Sequence, residues 1–338
     1  MVRIALDAMG GDLAPQAPVA GAVQAARKWR YEIQLVGREA EVRRALQQQG
    51  DLGDIDGLIQ IVNAPEVIEM REHPASAVRA KRNSSMAVGI DLVKKGASDA
   101  FVSAGNTGGV LATALLGLRR IEGITSERPA LVALIPTLHG SCVVLDVGAN
   151  VDVKPEWLAQ FALMGSLYAE IVLGRASPSI ATLSNGEEEG KGNSVLTEAV
   201  PLIRALPIKY IGNIEGNAIT AGGADVVVVD GFAGNVFLKG AEGVVATMSE
   251  MIRQELTRNP FYALLAVALR PAFRRVRRRL SYEEVGGVPL LGVNGVCIVA
   301  HGRSSAYAIQ NALREAARCV ELRLVERTRE RLASLAPT

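Results

Sequence analysis

Apolar, β-branched runs recur along the 338-residue chain, and five of them end in a Gly- and Asn-rich loop leading into an Ala/Leu-rich stretch. The loops are residues 8–14, 104–109, 148–154, 185–193 and 231–235. Short continuous apolar runs read as strands buried on both faces, and apolar residues spaced three and four apart read as helix. The pattern predicts strands at 3–7, 33–36, 59–62, 101–103, 131–135, 141–146, 179–183, 208–211, 225–230 and 295–301. Helices are predicted at 15–29, 39–49, 84–95, 110–118, 155–173, 194–205, from 236 onward, and at 304–335. Residues 66–80 read as a polar, irregular bridge, and 212–223 as a second polar segment. Between 259 and 280 two short helical pieces are expected, split by Pro271, and a Gly286-Gly287 turn follows.

This alternation predicts an α/β protein: Rossmann-like, three-layer α/β/α, with a mostly parallel sheet. No composition shift marks a linker, so one domain over 1–338 is expected, with a helical hairpin excursion at about 250–285. Strand-to-helix loops of a parallel sheet collect at the carboxyl edge of the strands, where helix N-termini offer N–H groups that favour anions. The five loops therefore predict an anion-handling crevice.

Composition supports a layered core. The chain is 49% hydrophobic but only 4% aromatic, and its 34 glycines concentrate in the loops just named. A net charge of +2 is too small for nucleic-acid binding by the whole protein. Residues 270–279, however, hold six arginines and no acid. Cys142, Cys297 and Cys319 are scattered and odd in number, which fits buried thiols rather than disulfides or zinc. The N-terminus reads as a strand, not a signal peptide. The apolar run 261–269 is far short of the ~20 residues that span a bilayer. A cytoplasmic protein is expected, touching a membrane without crossing it.

The usual occupants of such a crevice lack their signatures. The first strand-to-helix turn reads Ala8-Met9-Gly10-Gly11-Asp12, without G-x-G-x-x-G, and there is no Walker A lysine motif. NAD and ATP are disfavoured, and no cofactor is expected. No Gly-x-Ser-x-Gly elbow is present, and the three histidines form no metal-binding pair. His139 precedes Cys142 by three residues, but a shared strand explains that spacing as well as a thiolate would. Glu187-Glu188-Glu189 reads as a solvated turn or helix start, with Mg²⁺ as the alternative. What remains is a set of neutral donors: Asn106, Thr107, Asn150, Asn185, Asn193, Asn213, Asn217 and Asn235. Lys154, Lys191 and Lys239 add point charges, and His301 and Arg303 add a proton-transfer group and an oxyanion fork.

Seven segments closely resemble the bacterial phosphate acyltransferases of phospholipid synthesis. They are residues 4–12 (IALDAMGGD), 103–109 (SAGNTGG), 145–150 (LDVGAN), 183–192 (LSNGEEEGKG), 212–216 (GNIEG), 230–235 (DGFAGN) and 295–304 (GVCIVAHGRS). The resemblance implies a fold akin to isocitrate dehydrogenase and phosphotransacetylase. It implies transfer of a long-chain acyl group from acyl carrier protein to inorganic phosphate, giving an acyl phosphate. It also implies a homodimer in peripheral contact with the membrane.

On that reading Asn106, Lys191 and His301 are the expected catalytic residues. Asp7, Gly105, Thr107, Gly108, Gly109, Asn185, Asn193, Asn213, Asn235 and Arg303 are the expected substrate and phosphate ligands. Phosphate is already a nucleophile near neutral pH, so positioned donors suffice to stabilise the oxyanion. Leu264, Leu265, Arg274, Arg275 and Arg278 are expected to meet anionic lipid, with carrier-protein docking or dimer packing as alternatives. Two other functions stay open: an NAD-dependent decarboxylating dehydrogenase of similar fold, and a non-catalytic scaffold of lipid synthesis.

Overall fold

The computed structural model describes residues 1–126 and 129–334. Among them eleven strands form one sheet: β1 (Arg3–Asp7), β2 (Glu32–Gly37), β3 (Ile59–Asn63), β4 (Ala100–Ser103), β5 (Ala130–Thr137), β6 (Gly140–Leu145), β7 (Ser179–Leu183), β8 (Lys209–Ile214), β9 (Val226–Val228), β10 (Gly287–Leu291) and β11 (Val296–Ala300). The spatial order is β3-β2-β1-β4-β11-β10-β5-β6-β9-β7-β8. Alternation within a strand builds three layers. Ile4 and Leu6 of β1 pack with the helices Gln16–Trp29, Pro155–Ile171 and Ala306–Glu321, whereas Ala5 packs with the helices Ser85–Lys94 and Thr107–Leu118 on the other face.

The strand β10 was not foreseen. Pro289 lies at its centre, paired with Ile298 of β11, and proline cannot donate to a ladder, so the segment reads poorly as a central strand. Its presence changes the architecture. β3, β2, β1, β4 and β11 are parallel, and so are β6, β9, β7 and β8. Between these blocks the pairings β11–β10, β10–β5 and β5–β6 are all antiparallel. Three reversals leave the two blocks running in opposite senses, so the loops do not share one carboxyl edge as expected. Twist offsets the reversal: seven strand-to-strand steps separate β1 from β7, and at about 20–25° each they turn the strand direction by roughly 140–175°.

Two buried helices bind the blocks together. Helix Pro155–Ile171 is covered nearly all round, and the Tyr168 hydroxyl donates to Glu315 of helix Ala306–Glu321 at 3.0 Å. The hairpin differs in extent from the expectation. Its first arm starts at Gly231, where the Asp230 carboxylate caps the Ala233 N–H at 2.8 Å, and runs to Arg258. Its second arm, Pro260–Leu280, continues through Pro271 without a break. Every described side chain of this arm is partly or fully exposed, so water satisfies the carbonyl left without a proline N–H. No helix among the described residues is long and apolar enough to cross a membrane.

Candidate active site

Loops from the first block interlock around Asp7, the last residue of β1. Its buried carboxylate accepts from the Ser103 hydroxyl at 2.7 Å and the Met9 N–H at 3.1 Å, and Ser103 Oγ in turn takes the Gly105 N–H at 3.0 Å. Gly10 fits because a Cβ there would lie 2.8 Å from the Gly105 nitrogen. The Asp12 N–H donates to the Gly302 carbonyl at 2.7 Å, which ties the turn after β11 to the same group. Burial pushes the Asp7 carboxyl above the usual carboxylate range, and its hydrogen bonds tie the loops together.

Asn106 also turns inward. Its Oδ1 caps the Thr107–Leu118 helix through the Gly109 N–H at 2.9 Å. Its Nδ2 lies 3.0 Å from the carbonyls of Met70 and Glu72 and 3.3 Å from that of Glu69. An amide has two N–H groups, and three carbonyls already compete for them. Asn106 holds the 66–73 segment on the helix and offers substrate no amide N–H. Gly105 and Gly109 are buried beside it, Gly108 is half-buried, and Thr107 is exposed at the first helical position.

His301 is half-buried, and its Nδ1 accepts the Arg303 N–H at 3.1 Å. The neutral ring therefore carries its proton on Nε2. Burial lowers its pKa below 6.5; Glu242 and Asp12 oppose the shift, while Lys239 and Arg303 reinforce it. Lys239 and Glu242 belong to the helix that follows β9. The charges of the second block thus reach His301 of the first.

The second block builds an open groove of about 690 Å³ at the carboxyl ends of β6, β7 and β9, within the size range of small-molecule sites. Its lining mixes Val151, Leu183 and Phe232 with Asp152, Asn185 and Asn193. Asp146, following β6, shapes one wall by accepting from the N–H groups of Leu131, Gly148, Ala149 and Asn150 and from the Asn150 amide. Asn193 Oδ1 caps the helix Ser194–Arg204 at 2.8 Å, and Asn185 Oδ1 accepts the Gly192 N–H at 3.0 Å. Their Nδ2 groups have no hydrogen-bond partner among the described residues. Lys191 is exposed between two glycines of positive φ, Gly190 and Gly192, and Asn235 is exposed beside Gly148. Both ends of the Asn213 amide bond the protein.

Sequence reasoning passed over Asp146 and Asp230, although the signal was there: three apolar runs end in Asp, as LDAMGG, LDVGAN and VVDGFAGN. It also passed over Thr182, which nothing in the sequence distinguishes from an ordinary strand residue. All three cysteines are fully buried, an environment that disfavours the thiolate. Burial pushes the Cys142 thiol up to about 12 and raises Cys297 and Cys319 as well.

The fold is that of the phosphotransacetylases. A phosphotransacetylase from Streptococcus pyogenes superposes with a TM-score of 0.62 over 95% of this chain and 94% of its own, at 20% identity. The sequence then narrows the class. The family model described as "Fatty acid synthesis protein" matches residues 2–327. A phosphate acyltransferase of Desulfitobacterium hafniense (strain Y51) is 46% identical over 333 residues, 98% of each chain. One from Pelotomaculum thermopropionicum is 47% identical over 334 residues, 99% of this chain and 96% of its own. The chain belongs to the phosphate acyltransferases of the fatty acid synthesis protein family, and is an enzyme of the acyltransferase class.

Proposed function

We propose that the protein transfers a long-chain acyl group from acyl carrier protein to inorganic phosphate. A phosphate oxygen attacks the thioester carbonyl carbon, the C–S bond breaks, and the carrier thiol leaves with an acyl phosphate as product. That product supplies the acylation step of phospholipid synthesis. The observation that carries this reading is the second-block groove, where Asn185 and Asn193 stand in a partly apolar lining and the exposed Lys191 adjoins Gly192 of that lining. Such donors can hold an anion and the oxyanion that develops on the carbonyl; losing one donor of this kind costs about 10²–10³ in rate. Asn235 joins them from the start of the hairpin helix. His301, with its Nε2–H, and Arg303, exposed and cationic, assist the departing thiol, whose pKa of about 8–9 makes strong acid catalysis unnecessary. The Thr107 and Gly108 N–H groups, at the open end of their helix, add a second place for phosphate.

The hairpin supports the remaining parts of the reading. Leu264 is 69% and Leu265 46% exposed, and Phe261, Val267 and Leu269 are exposed with them. Arg274 and Arg275 follow, whereas Arg278 is engaged with Glu284 at 2.8 Å. Apolar residues beside unpaired arginines fit the interface of an anionic membrane. The first arm exposes Val244, Met248 and Met251, an apolar face of the kind that a second copy would cover in a homodimer. The protein then works in the cytoplasm against the inner face of the cell membrane.

The test is phosphate-dependent loss of acyl carrier thioester with a hydroxylamine-trappable product. Thioester loss that ignores phosphate, or no trapped product, refutes the proposal. Hydride transfer to NAD would instead point to the dehydrogenase reading.

A further inference from the structure

A column of polar side chains stands beneath the Lys191 loop, on the two outermost strands of the second block. The Tyr210 hydroxyl lies 2.7 Å from Thr182 Oγ1, and Thr182 Oγ1 lies 2.8 Å from Asn213 Oδ1. Asn213 Nδ2 reaches the carbonyls of Glu188 at 3.1 Å and Lys191 at 3.4 Å. Every proton in the column has one possible direction. Two carbonyls can accept only from an NH₂ group, so Oδ1 of Asn213 must face Thr182 and accept from it. The single Thr182 proton is then committed, and Tyr210 has to donate to Thr182. Donors aligned head to tail polarise one another, so the column is stronger than its separate bonds.

The loop above is pinned at further points. The Gly192 N–H donates to Asn185 Oδ1 at 3.0 Å, the Lys191 N–H to the Glu188 carbonyl at 3.3 Å, and Glu189 pairs with Arg204. The Lys191 stem crosses Gly186, where a Cβ would meet its Cγ at 3.1 Å. None of these contacts takes the Lys191 ammonium. Instead they immobilise the backbone on both sides of it, and among the described residues Asn213 alone holds the Lys191 carbonyl.

We infer that Tyr210, Thr182 and Asn213 are positioning residues that hold the Lys191 loop, whose Gly192 and Asn193 line the groove, with Asn213 as the point of contact. This rests on the assignment of Lys191 to phosphate or the developing oxyanion. Thr182 is fully buried within β7, so the column reaches the loop from inside the fold and touches no substrate.

Four measurements on the protein test the assignment. Asn213→Asp removes both N–H groups and sets a carboxylate against two carbonyls. It is expected to lower kcat/KM about 10²-fold, as misplacement of a catalytic group by ~1 Å does, with the loss mainly in KM for phosphate. In a Lys191→Ala background the same change is expected to add little, because the residue being positioned is gone. Thr182→Val is expected to impair turnover, and Thr182→Ser to restore it by returning the hydroxyl. Hydrogen exchange of the 186–193 amides is expected to accelerate in Asn213→Asp and in Thr182→Val. The inference is overturned if Asn213→Asp multiplies the Lys191→Ala loss by its full factor, or if exchange in 186–193 is unchanged. If Lys191→Ala alone keeps wild-type turnover, the catalytic assignment of Lys191 fails, and accelerated exchange would still uphold the column as what holds the loop.

Discussion

Asp7 and Asp146 occupy equivalent positions, at the ends of β1 and β6, yet the loops they organise are used differently. Both are buried, and burial raises both carboxyls. Asp7 collects two serine hydroxyls, those of Ser85 and Ser103, with the N–H groups of Met9 and Gly10. Asp146 collects four backbone N–H groups and one side-chain amide. Around Asp7 the conspicuous Asn106 closes onto the protein's own carbonyls. In the groove of the second block, Asn185 and Asn193 use only Oδ1, and their amide N–H groups have no partner among the described residues. The lesson is that an Asn at a strand end has chemical meaning only once its acceptors are known.

The largest expected effect separates the two clusters by activity. Lys191→Ala should reduce turnover about 10²–10³-fold with an unchanged thermal midpoint, because the side chain is exposed. Asn106→Ala should do the opposite, costing about 1–3 kcal/mol of stability through a lost helix cap and three stranded carbonyls. Single-turnover thioester loss and thermal melts on both variants check the contrast. A stable, inactive Asn106→Ala beside a fully active Lys191→Ala would reverse the two roles.

The next effect sharpens the comparison of the carboxylates themselves. An Asn at 146 must turn its NH₂ toward backbone N–H groups, which cannot accept. At Asp7 the hydroxyls of Ser85 and Ser103 can rotate and accept instead. Asp146→Asn should therefore cost about 3 kcal/mol and Asp7→Asn about 1 kcal/mol, read by urea unfolding. Equal costs would show that the two hubs are not distinguished by their donors.

Much of this was legible in the sequence, and the reasons for the rest are physical. Buried parallel strands such as β1 and β9 announce themselves because both faces are apolar. The strand β10 did not, since Pro289 breaks the pattern by which strands are recognised. The reversal of the second block follows from β10 and β5, so the expectation of a single carboxyl edge failed with that one strand. At the site, residue type was legible but direction was not. Asn106, Asn185 and Asn213 look alike in sequence, and only the carbonyls of residues 69, 70, 72, 188 and 191 decide which of them keep donors for a ligand.

A smaller effect concerns the link between the blocks. His301 belongs to the first, but its charge state responds to Lys239 and Glu242 of the helix following β9. Burial is the largest cause of its lowered pKa, so the ring is neutral near pH 7 and Nε2 keeps its proton. The neutral ring persists at all higher pH; as pH falls below 6.5 and through the lowered value, Nδ1 gains a proton and can no longer accept the Arg303 N–H, which unseats the ring although Nε2 keeps its own proton. Turnover should hold between pH 7 and 8 and decline on the acid side. His301→Gln, which keeps an N–H, should remove that acid limb at a cost of about tenfold or less. The ratio of the two profiles cancels the titration of phosphate itself, and a ratio independent of pH would remove His301 from the reaction.

The smallest effect on soluble turnover, and the one that separates the hairpin from both clusters, belongs to Leu264→Glu/Leu265→Glu. Neither side chain packs on the core, so folding and turnover with a soluble thioester should stay within about twofold of wild type. Flotation with anionic vesicles should be lost, since each leucine withdrawn from lipid forfeits about 1.5–3 kcal/mol and each glutamate is repelled. Arg274→Glu/Arg275→Glu should weaken flotation by about 1 kcal/mol per arginine, and only at low salt. If the leucine variant floats unchanged while the arginine variant raises KM for acyl carrier protein, the basic stretch serves the acidic carrier instead of lipid. The two substitutions thus divide one helix into a part that meets lipid tails and a part that meets negative charge.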